Sequence, residues 1–498
     1  MSGPRRTARA GRPVVLGLDL GTTEVKAGLV DLDGRLLALA RGGYALDVDG
    51  GPGWAEQDPG AWWSAVVGAV RGLHAAEAVE VVAIGVDGHG PTLAPVDERG
   101  EATRPAITFL DTRATAEAIE LADATGVRGW ALGPLPAALW LERHESVAAA
   151  ATRWYLTTWE WLAYRLTGEA VAPRVPVELE PDLAVVARTT GLRVDRRPVD
   201  GAMGALVGTL TETSAAALGL RAGIPVSGGT NDAFASYLGA GLLEPGDAYD
   251  PGGSAGGFGV YWHEPVEVQG AFVTPAPLAG LYSVGAAMAA TGRALDWFRD
   301  SIVGGGTPGA VTTERLLEEA AATPPGADGL VFLPYLAGER SPLWDPRARG
   351  VFAGLTLGHS RGHLARSIIE ASALAIRHVS TPMLEAGVRV TAMRACGGPA
   401  RSHVWNQVKA DVTGFRVLVP NVLETAVLGS AILGAVGIGA APDVATAIRT
   451  MTGIEREIEP RPKVAATYDR LFEAYVALYP ATRPVLRQLT GPGGGGAA

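Results

Sequence analysis

The chain has 498 residues, of which 47% are apolar and 19% are charged, and its formal net charge is −10. This length favours two or more domains, and the acidic balance argues against a protein that binds nucleic acid through its phosphates. The one cysteine, Cys396, excludes an intramolecular disulfide, and the eight scattered histidines argue against a zinc site.

Both termini are predicted to be loose tails, at residues 1–12 and 486–498. The N-terminal tail is basic, but it is not followed by the apolar core of a signal peptide. The longest apolar run, "AVLGSAILGAVGIGAA" at 426–441, is shorter than the ~20 residues that a membrane span needs. Its glycines and alanines predict a buried helix packed closely on a neighbour. We therefore expect a cytoplasmic protein with no membrane or nucleic-acid partner, and a homodimer is left open.

Strand-like and helix-like segments alternate along the chain, which is the pattern of an α/β protein. A helix is predicted from Asp58 and Pro59 onward, and a long helix over 361–387. Apolar strands are predicted, in chain order, in "VVLGLDLG", "VVAIGVDG", "PVSGGTND", "GLVFLPYLAG" and "VTAMRACGG". Because the alternation restarts near residue 246, we divide the chain into domains at 13–245 and 246–485.

The two predicted domains open on similar segments, "LDLGTTEVKAGLVD" and "YDPGGSAGGFGVYW". Each has an aspartate, a glycine-rich turn with hydroxyl residues and a returning apolar strand, which predicts a β-hairpin with a tight turn. A duplicated domain with one such hairpin per half is suited to surround a polyphosphate. Short echoes of this kind also arise by chance.

The first of these turns carries several groups that suit a bound phosphate. Thr22 and Thr23 supply hydroxyls and N–H groups, and Lys26 supplies positive charge on the returning strand. Asp19 ends the preceding strand and could hold Mg²⁺ through water. The alternative is an ordinary hairpin with a polar tip. No Walker A sequence occurs in the chain.

Two further strand ends are candidates for function. In "VSGGTNDAFASYLGAG", Asn231 and Asp232 stand where a helix begins, so they are either helix caps or, for Asp232, a general base. In "RACGGPARSHVWNQVKADVTG", Gly397 and Gly398 let a flat ring approach the backbone, or they serve only the geometry of a strand–turn–helix joint.

Together these segments resemble the FGGY carbohydrate kinase family, and most closely its xylulokinase branch. The resemblance covers nearly all of residues 13–480. The matching segments, in family order, are "GLDLGTTEVKAGLVD", "GWAEQDPGAWW", "ERGEATRPAITFLDTRA", "YRLTGE", "GGTNDAFASYLGAG", "GGSAGGFG", "FLPYLAGERSPLWDPRARGVFAGLTLGHSRGHLARSIIEASALAIR" and "CGGPARSHVWNQVKADVTG".

This resemblance implies two ribonuclease-H-like domains with an interdomain cleft, as in actin and the heat-shock ATPases. It also implies Mg²⁺-dependent transfer of the ATP γ-phosphoryl group to a hydroxyl of a small sugar or polyol, with Asp232 as general base. Asp19 would lie near Mg²⁺, and His89 and Asn231 would contact the sugar. The residues implied for the nucleotide are Thr22, Thr23, Lys26, Ser254, Gly292, Asp296, Gly398 and Ser402.

The segment around the acceptor departs from the family pattern. The Gln-Met pair of the xylulokinase loop is absent beside His89, and Ala233 follows the aspartate where relatives often have an amide. Trp159 and Trp161 occupy a stretch where the family usually has an aspartate-containing pattern. These departures leave open a sugar-binding sensor with weak catalysis. An actin-like or chaperone ATPase is a third alternative, against which the sugar-kinase signatures at 53–63 and 338–342 argue.

Overall fold

The computed structural model describes residues 11–176, 180–253, 255–304 and 311–490. Ser254, the predicted hydroxyl of the second phosphate loop, lies outside these described residues. The first strand begins at Arg12, one residue before the predicted domain start, because the Arg12 N–H donates to the Ala78 carbonyl at 2.9 Å. The last helix continues to Thr490, so residues 486–490 are helical and not part of the predicted tail.

Strands are numbered here in chain order. The earlier strands are β1 (Arg12–Leu20), β2 (Glu24–Asp31), β3 (Leu36–Gly43), β4 (Glu56–Gln57), β5 (Val79–Gly88), β6 (Ala94–Val96), β7 (Ala106–Ile107), β8 (Trp154–Leu156), β9 (Val171–Arg174), β10 (Val199–Ala202), β11 (Leu206–Thr209) and β12 (Pro225–Asn231). The later strands are β13 (Asp247–Asp250), β14 (Gly257–Trp262), β15 (Phe272–Pro275), β16 (Tyr282–Ala287), β17 (Val331–Leu333), β18 (Val351–Ala353), β19 (Ala392–Ala395), β20 (Val417–Pro420) and β21 (Ile454–Ile458).

The α-helices are numbered in the same way. They are α1 (Pro59–Arg71), α2 (Thr115–Thr125), α3 (Leu135–His144), α4 (Ser146–Ala151), α5 (Thr158–Thr167), α6 (Leu183–Thr190), α7 (Glu212–Leu218), α8 (Asp232–Gly239), α9 (Ala294–Trp297), α10 (Thr313–Ala322), α11 (Arg361–Glu385), α12 (His403–Thr413), α13 (Thr425–Gly437), α14 (Val444–Met451) and α15 (Ala465–Thr490). Shorter helical turns occur at Gly129–Leu132, Val194–Arg196, Phe298–Ile302, Ala327–Gly329, Gly398–Arg401 and Pro462–Val464.

The chain divides into two compact units. The first comprises Met1–Gly241, Pro275–Ala279 and Glu424–Thr452, and the second comprises Leu242–Thr274, Gly280–Leu423 and Gly453–Ala498. The segment 424–452 therefore belongs to the first unit, although a division at residue 245 assigns it to the second domain. A single boundary in the sequence cannot describe a chain that leaves the first unit, forms most of the second and then contributes 424–452 to the first again.

The first unit is built on a six-stranded sheet in the order β11-β12-β5-β1-β2-β3. Strands β1, β2 and β3 are antiparallel neighbours, whereas β5 pairs in parallel with both β1 and β12. The central strands are buried on both faces, as the continuous apolar runs predict. Helix α1 begins as predicted, with the Asp58 carboxylate accepting the Gly60 N–H at 2.8 Å and Pro59 in the first turn.

Helix α13 contains most of the Gly/Ala-rich run and packs directly on the first sheet. A Cβ on Gly85 of β5 would come within 1.8 Å of the Ser430 carbonyl oxygen, and a Cβ on Gly429 would come within 1.9 Å of the Ala235 carbonyl oxygen. The predicted close packing of a buried helix is thus confirmed. Among the described residues, no helix combines the length and the hydropathy that crossing a bilayer requires.

The second unit is built on a seven-stranded sheet in the order β15-β16-β14-β13-β19-β20-β21. Strand β13 is antiparallel to β14 and parallel to β19, and β19 is parallel to β20. The same sequence of antiparallel and parallel neighbours occurs around β1, so the echo between the two hairpins reflects a repeated topology. The predicted α/β fold with two domains is confirmed.

Candidate active site

Three strands of the first unit bring acidic and polar side chains to one edge of the sheet. The parallel register pairs Asp19 of β1 with Asp87 of β5, and Gly88 of β5 with Asn231 of β12. Asp232 follows immediately as the first residue of α8. Because ligands of open α/β sheets collect at the carboxyl ends of the strands, this edge is the candidate active site of the first unit.

The two residues at the start of α8 have different tasks. Asn231 is the helix cap, since its side-chain oxygen accepts the Phe234 N–H at 2.9 Å. Asp232 accepts the N–H of its neighbour Ala233 at 2.8 Å and is half-buried. Burial, followed by the negative charge of Asp19, raises the pKa of Asp232 to about 7. A carboxyl group with a near-neutral pKa is suited to exchange protons at physiological pH.

Asp19 and Asp87 form a buried pair of carboxyl groups beside Asp232. Burial together with the charge of Asp19 raises the pKa of Asp87 well above its usual range, and burial also raises the pKa of Asp19. The Ser430 hydroxyl of α13 donates to Asp87 Oδ2, whereas Oδ1 is buried without a partner among the described residues. Two adjacent carboxyl groups cannot both ionise cheaply unless a cation lies near them.

Sequence analysis missed Asp87 as a site residue. The signal was present, because "VVAIGVDG" ends in Asp-Gly much as "VVLGLDLG" ends in Asp-x-Gly. Its hydroxyl partner Ser430 could not have been found in this way, since it comes from a helix 343 positions later in the chain.

Lys26 places a positive charge beside Asp19. Its Nζ lies 3.6 Å from Asp19 Oδ2, 3.4 Å from Glu424 Oε2 and 4.0 Å from Glu24 Oε1. Burial favours the neutral amine, but the surrounding carboxylates outweigh that effect and raise the pKa of Lys26. Arg41 also pairs with Glu24 and Glu424. The Lys26 charge is thus shared among protein carboxylates rather than left unpaired.

The turn between β1 and β2 has its carbonyl groups bound by the protein. Tyr44 donates from its hydroxyl to the Gly21 carbonyl and from its backbone to the Thr23 carbonyl, while Gln57 Nε2 donates to the Thr22 carbonyl at 2.6 Å. Thr22 is half-buried and Thr23 is exposed. The Gly21 N–H donates to the Glu24 carbonyl at 3.1 Å, so the hydroxyl and N–H groups of Thr22 and Thr23 are the candidates of this turn for an anion.

His89 lies next to this edge, and its backbone is bound on both sides. Its N–H donates to the Leu20 carbonyl at 2.9 Å, and its carbonyl accepts from the Thr158 hydroxyl at the start of α5. The sequence predicted His89 for the sugar and left its surroundings open. The structure connects it both to the strand that carries Asp19 and to the helix that carries Trp159.

The His89 ring is buried among aromatic side chains. It meets Trp62 edge to face at a centroid distance of 5.6 Å and lies 5.9 Å from Phe109. Burial lowers the pKa of His89 to about 3, so the ring is neutral at pH 7. Its Nδ1 lies 3.1 Å from the Thr92 hydroxyl, and its Nε2 has no partner among the described residues.

In the second unit, the loop after β13 contacts the loop after β19. A Cβ on Gly252 would come within 2.0 Å of the Cys396 carbonyl oxygen, and one on Gly397 within 2.6 Å of the Pro251 carbonyl oxygen. Both glycines also have positive φ, at 56° and 67°. These two positions therefore require glycine for conformation and for packing.

The neighbouring glycines of the same loops differ. A Cβ on Gly253 or on Gly398 would meet nothing within 4 Å, and neither residue has the positive φ that favours glycine. Both are exposed. Neither packing nor conformation explains a glycine at these positions, which is consistent with the predicted approach of a flat ring at Gly398.

The other predicted nucleotide residues of the second unit have structural partners. Ser402 is the cap of α12 and accepts the Trp405 N–H at 3.3 Å. Gly292 follows Thr291, whose N–H donates to the carbonyl of Ala255 at 3.1 Å and so connects this turn to the predicted second phosphate loop. Their roles toward a nucleotide stay predictions.

Asp296 is exposed and pairs with Arg299 Nη1 at 2.9 Å on the surface of the second unit. Its carboxylate is therefore already occupied by a cation from the next turn. A nucleotide contact at Asp296 likewise stays a prediction.

The donor set at the first edge fits a magnesium ion. Mg²⁺ prefers oxygen ligands, keeps several waters and needs only one or two carboxylates. Asp19 and Asp87 supply such a pair, with the buried Oδ1 of Asp87 unpaired within the described residues. No cluster of three or more His, Cys, Asp or Glu side chains with metal-binding geometry occurs in the described part of the chain. A mostly hydrated ion suits this site better than a protein-caged one.

Comparison with known proteins gives matches along both units. Residues 14–174 match the N-terminal domain, and residues 253–438 the C-terminal domain, of the FGGY family of carbohydrate kinases.

Individual relatives match over nearly their full lengths. The crystal structure of xylulose kinase from Rhodospirillum rubrum has 31% sequence identity and a TM-score of 0.78, covering 95% of this chain and 99% of that one. Xylulose kinase from Bacillus subtilis is 28% identical, covering 94% of this chain and 97% of its own. Glycerol kinase from Thermus brockianus is 30% identical, covering 86% of this chain and 90% of its own.

Proposed function

The chain belongs to the FGGY family of carbohydrate kinases, and from this premise we propose that it phosphorylates a hydroxyl of a xylulose-like ketose or a related polyol. ATP is the phosphoryl donor and Asp232 is the general base. The relatives named xylulose kinase and glycerol kinase support a small sugar or polyol as acceptor.

The proposal rests on Asp232, which has a raised pKa and is not used to cap its helix. It stands at a helix start whose cap is supplied by Asn231, so its carboxylate is not needed to cap the helix. In the proposed reaction, Asp232 accepts the proton of the acceptor hydroxyl while that oxygen bonds to the γ-phosphorus and the bond to ADP breaks. The N-terminus of α8 favours the ionised carboxylate that this step requires.

Phosphate binding is assigned to the first turn and to the loops of the second unit. The N–H and hydroxyl groups of Thr22 and Thr23 would donate to phosphate oxygens, while Lys26 would balance charge. Gly253 and Gly398 leave space that a nucleotide would fill. Mg²⁺, held through Asp19 and Asp87, would neutralise phosphate charge when bound.

The acceptor would be positioned by neutral groups. His89 is uncharged at pH 7 and its Nε2 is unpaired within the described residues, so it can bind a hydroxyl or carbonyl oxygen without bringing in charge. The side-chain oxygen of Asn231 is engaged by the helix, which leaves its amide nitrogen as the group that could contact the sugar.

The proposal is tested by measuring ADP release from ATP and Mg²⁺ with a panel of pentuloses, hexuloses, tetritols and glycerol. We expect one ketose or polyol to give a kcat/KM at least about tenfold above the others, since one missing hydrogen bond in a polar pocket costs roughly that much. An acceptor that binds tightly without ADP release would instead support the sugar-binding sensor. Stimulation by unfolded peptides and by no sugar would support a chaperone-like ATPase.

A further inference from the structure

Thr92 is buried behind the His89 ring, and its hydroxyl has two neighbours. The oxygen accepts the Phe109 N–H at 3.2 Å, and it lies 3.1 Å from His89 Nδ1. Thr92 itself has no exposed surface. A buried hydroxyl is expected to use its proton as well as its oxygen.

These contacts select the proton position on the histidine ring. The Phe109 N–H can only donate, so it occupies a lone pair of the Thr92 oxygen. The hydroxyl proton then needs an acceptor, and within the described residues the structure records His89 Nδ1 as the acceptor in reach. An Nδ1 that accepts carries no proton. In a neutral ring the proton is consequently on Nε2.

The indole ring of Trp159 packs against Gly90, the residue that follows His89. The indole of Trp159 rests against the loop, since a Cβ on Gly90 would come within 2.8 Å of Trp159 Cζ3. Thr158, its neighbour in α5, donates to the His89 carbonyl. Trp159 Nε1 and His89 Nε2 are both buried without a partner among the described residues. An indole nitrogen can only donate, so this small region contains two N–H groups that lack acceptors.

We propose that Thr92 is a positioning residue that holds His89 in its Nε2–H tautomer, so that His89 Nε2–H and Trp159 Nε1–H donate to two oxygens of the sugar acceptor. This inference rests on the proposed kinase function and adds how its acceptor is recognised. The ligand class is a neutral ketose or polyol whose adjacent hydroxyl or carbonyl oxygens accept these bonds.

The tautomer can be measured without any substrate. Protein labelled with ¹⁵N-histidine is examined at pH 7 by long-range ¹H–¹⁵N correlation, with the His89 signals assigned from their loss in His89→Gln. We expect a single Nε2–H form in the wild type and in Thr92→Ser, and a mixture of tautomers in Thr92→Val. The matched control is Thr167→Val, because Thr167 is also buried and its hydroxyl also serves one acceptor and one N–H.

Recognition is then measured by calorimetric titration with D-xylulose and with the best acceptor of the panel, in the absence of nucleotide. Thr92→Val and Trp159→Phe should each weaken sugar binding by about tenfold, the value of one hydrogen bond. KM for ATP should stay within about threefold. Because Thr92 acts through His89, Thr92→Val should add little to the loss already caused by His89→Ala.

A wild-type spectrum with the proton on Nδ1 would overturn the assignment of Thr92, whatever the acceptor is. Additive losses in Thr92→Val and His89→Ala would also contradict a role exerted through His89. Unchanged sugar affinity in Trp159→Phe would remove Trp159 from the subsite. If no acceptor in the panel is phosphorylated, the kinase proposal fails, while the tautomer assignment is still decided by the spectrum.

Discussion

At the scale of single residues, the pair Asn231–Asp232 shows how two neighbouring polar side chains divide their work. The sequence predicted that one or both would cap the helix, and it left capping and catalysis open for Asp232. The structure assigns the cap to Asn231 through the 2.9 Å bond from Phe234. Because Asn231 caps the helix, Asp232 can be substituted without removing the cap of α8.

Asp232→Asn should therefore lower kcat by about 10²–10⁴, the usual contribution of a general base, while ATP binding stays near the wild-type value. Steady-state kinetics and nucleotide titration would measure the two effects. Asn231→Ala is the matched control, since loss of the cap should cost about 1 kcal/mol in the free energy of unfolding. A kcat within threefold of the wild type in Asp232→Asn would remove it as the base.

The raised pKa of Asp232 also predicts the pH dependence of activity. A base must be ionised, and burial together with the charge of Asp19 raises its pKa to about 7. In the free enzyme, kcat/KM should therefore fall as the pH drops below about 7, by up to about tenfold for each pH unit. A pH profile at saturating Mg²⁺, with circular dichroism to verify folding at each pH, would check this. An acid limb near pH 4 would contradict a perturbed base.

At the scale of elements, the loops of the second unit contain glycines of two kinds. Gly252 and Gly397 are required by their positive φ and by carbonyl groups at 2.0 Å and 2.6 Å from a Cβ. Neither a positive φ nor a close carbonyl group requires glycine at positions 253 and 398. The sequence left open whether Gly397 and Gly398 serve a ring or a joint; the structure explains Gly397 by geometry, and the role of Gly398 toward a ring stays a prediction.

Alanine substitutions at the two kinds of glycine should therefore have different effects, on ATP kinetics for one kind and on stability for the other. Gly253→Ala and Gly398→Ala should raise KM for ATP by roughly tenfold or more, because one additional methyl group in a fitted pocket is worth about 1–3 kcal/mol. Their urea unfolding midpoints should match the wild type. Gly252→Ala and Gly397→Ala should instead unfold at lower urea concentration. Wild-type ATP kinetics in both of the first two variants would exclude these glycines from the nucleotide site.

Local patterns of this kind explain what the sequence could predict. The strands that carry Asp19, Asp87 and Asn231 at or next to their last residue were visible in the sequence, because buried parallel strands are continuous apolar runs bounded by polar residues. The hydrogen bond from Ser430 to Asp87 could not be predicted from the sequence, since it joins residues 343 positions apart. The burial of His89 was also hidden, because it depends on aromatic rings from separate segments.

At the scale of the whole molecule, the main difference from the sequence prediction is the path of the chain. Helix α13 lies in the sequence between two segments of the second unit, Gly280–Leu423 and Gly453–Ala498, but it packs in the first unit, where its residues touch β1, β5 and α8 through glycines. A division of the sequence into two consecutive domains misses this, because the strongest signals, the strand ends and the hairpins, are local and carry no information on chain return.

The close contact between α13 and α8 predicts a large effect from a small change. Gly429→Ala would place a Cβ 1.9 Å from the Ala235 carbonyl oxygen, so it should lower the free energy of unfolding by about 1–3 kcal/mol or more. Gly68→Ala is the control, because a Cβ there meets nothing within 4 Å and lies in the exposed part of α1. That variant should be stabilised by about 0.5–1 kcal/mol. Equal urea midpoints for the two variants would contradict the packing.

The return of α13 also affects how the protein is made. A ribosome that adds roughly 5–20 residues per second needs about 10–40 seconds to proceed from residue 241 to residue 452. During that interval the nascent first unit lacks the helix that covers Gly17 and Gly85 of its central strands. Its folding must therefore finish late in translation, with apolar sheet surface available to chaperones until then.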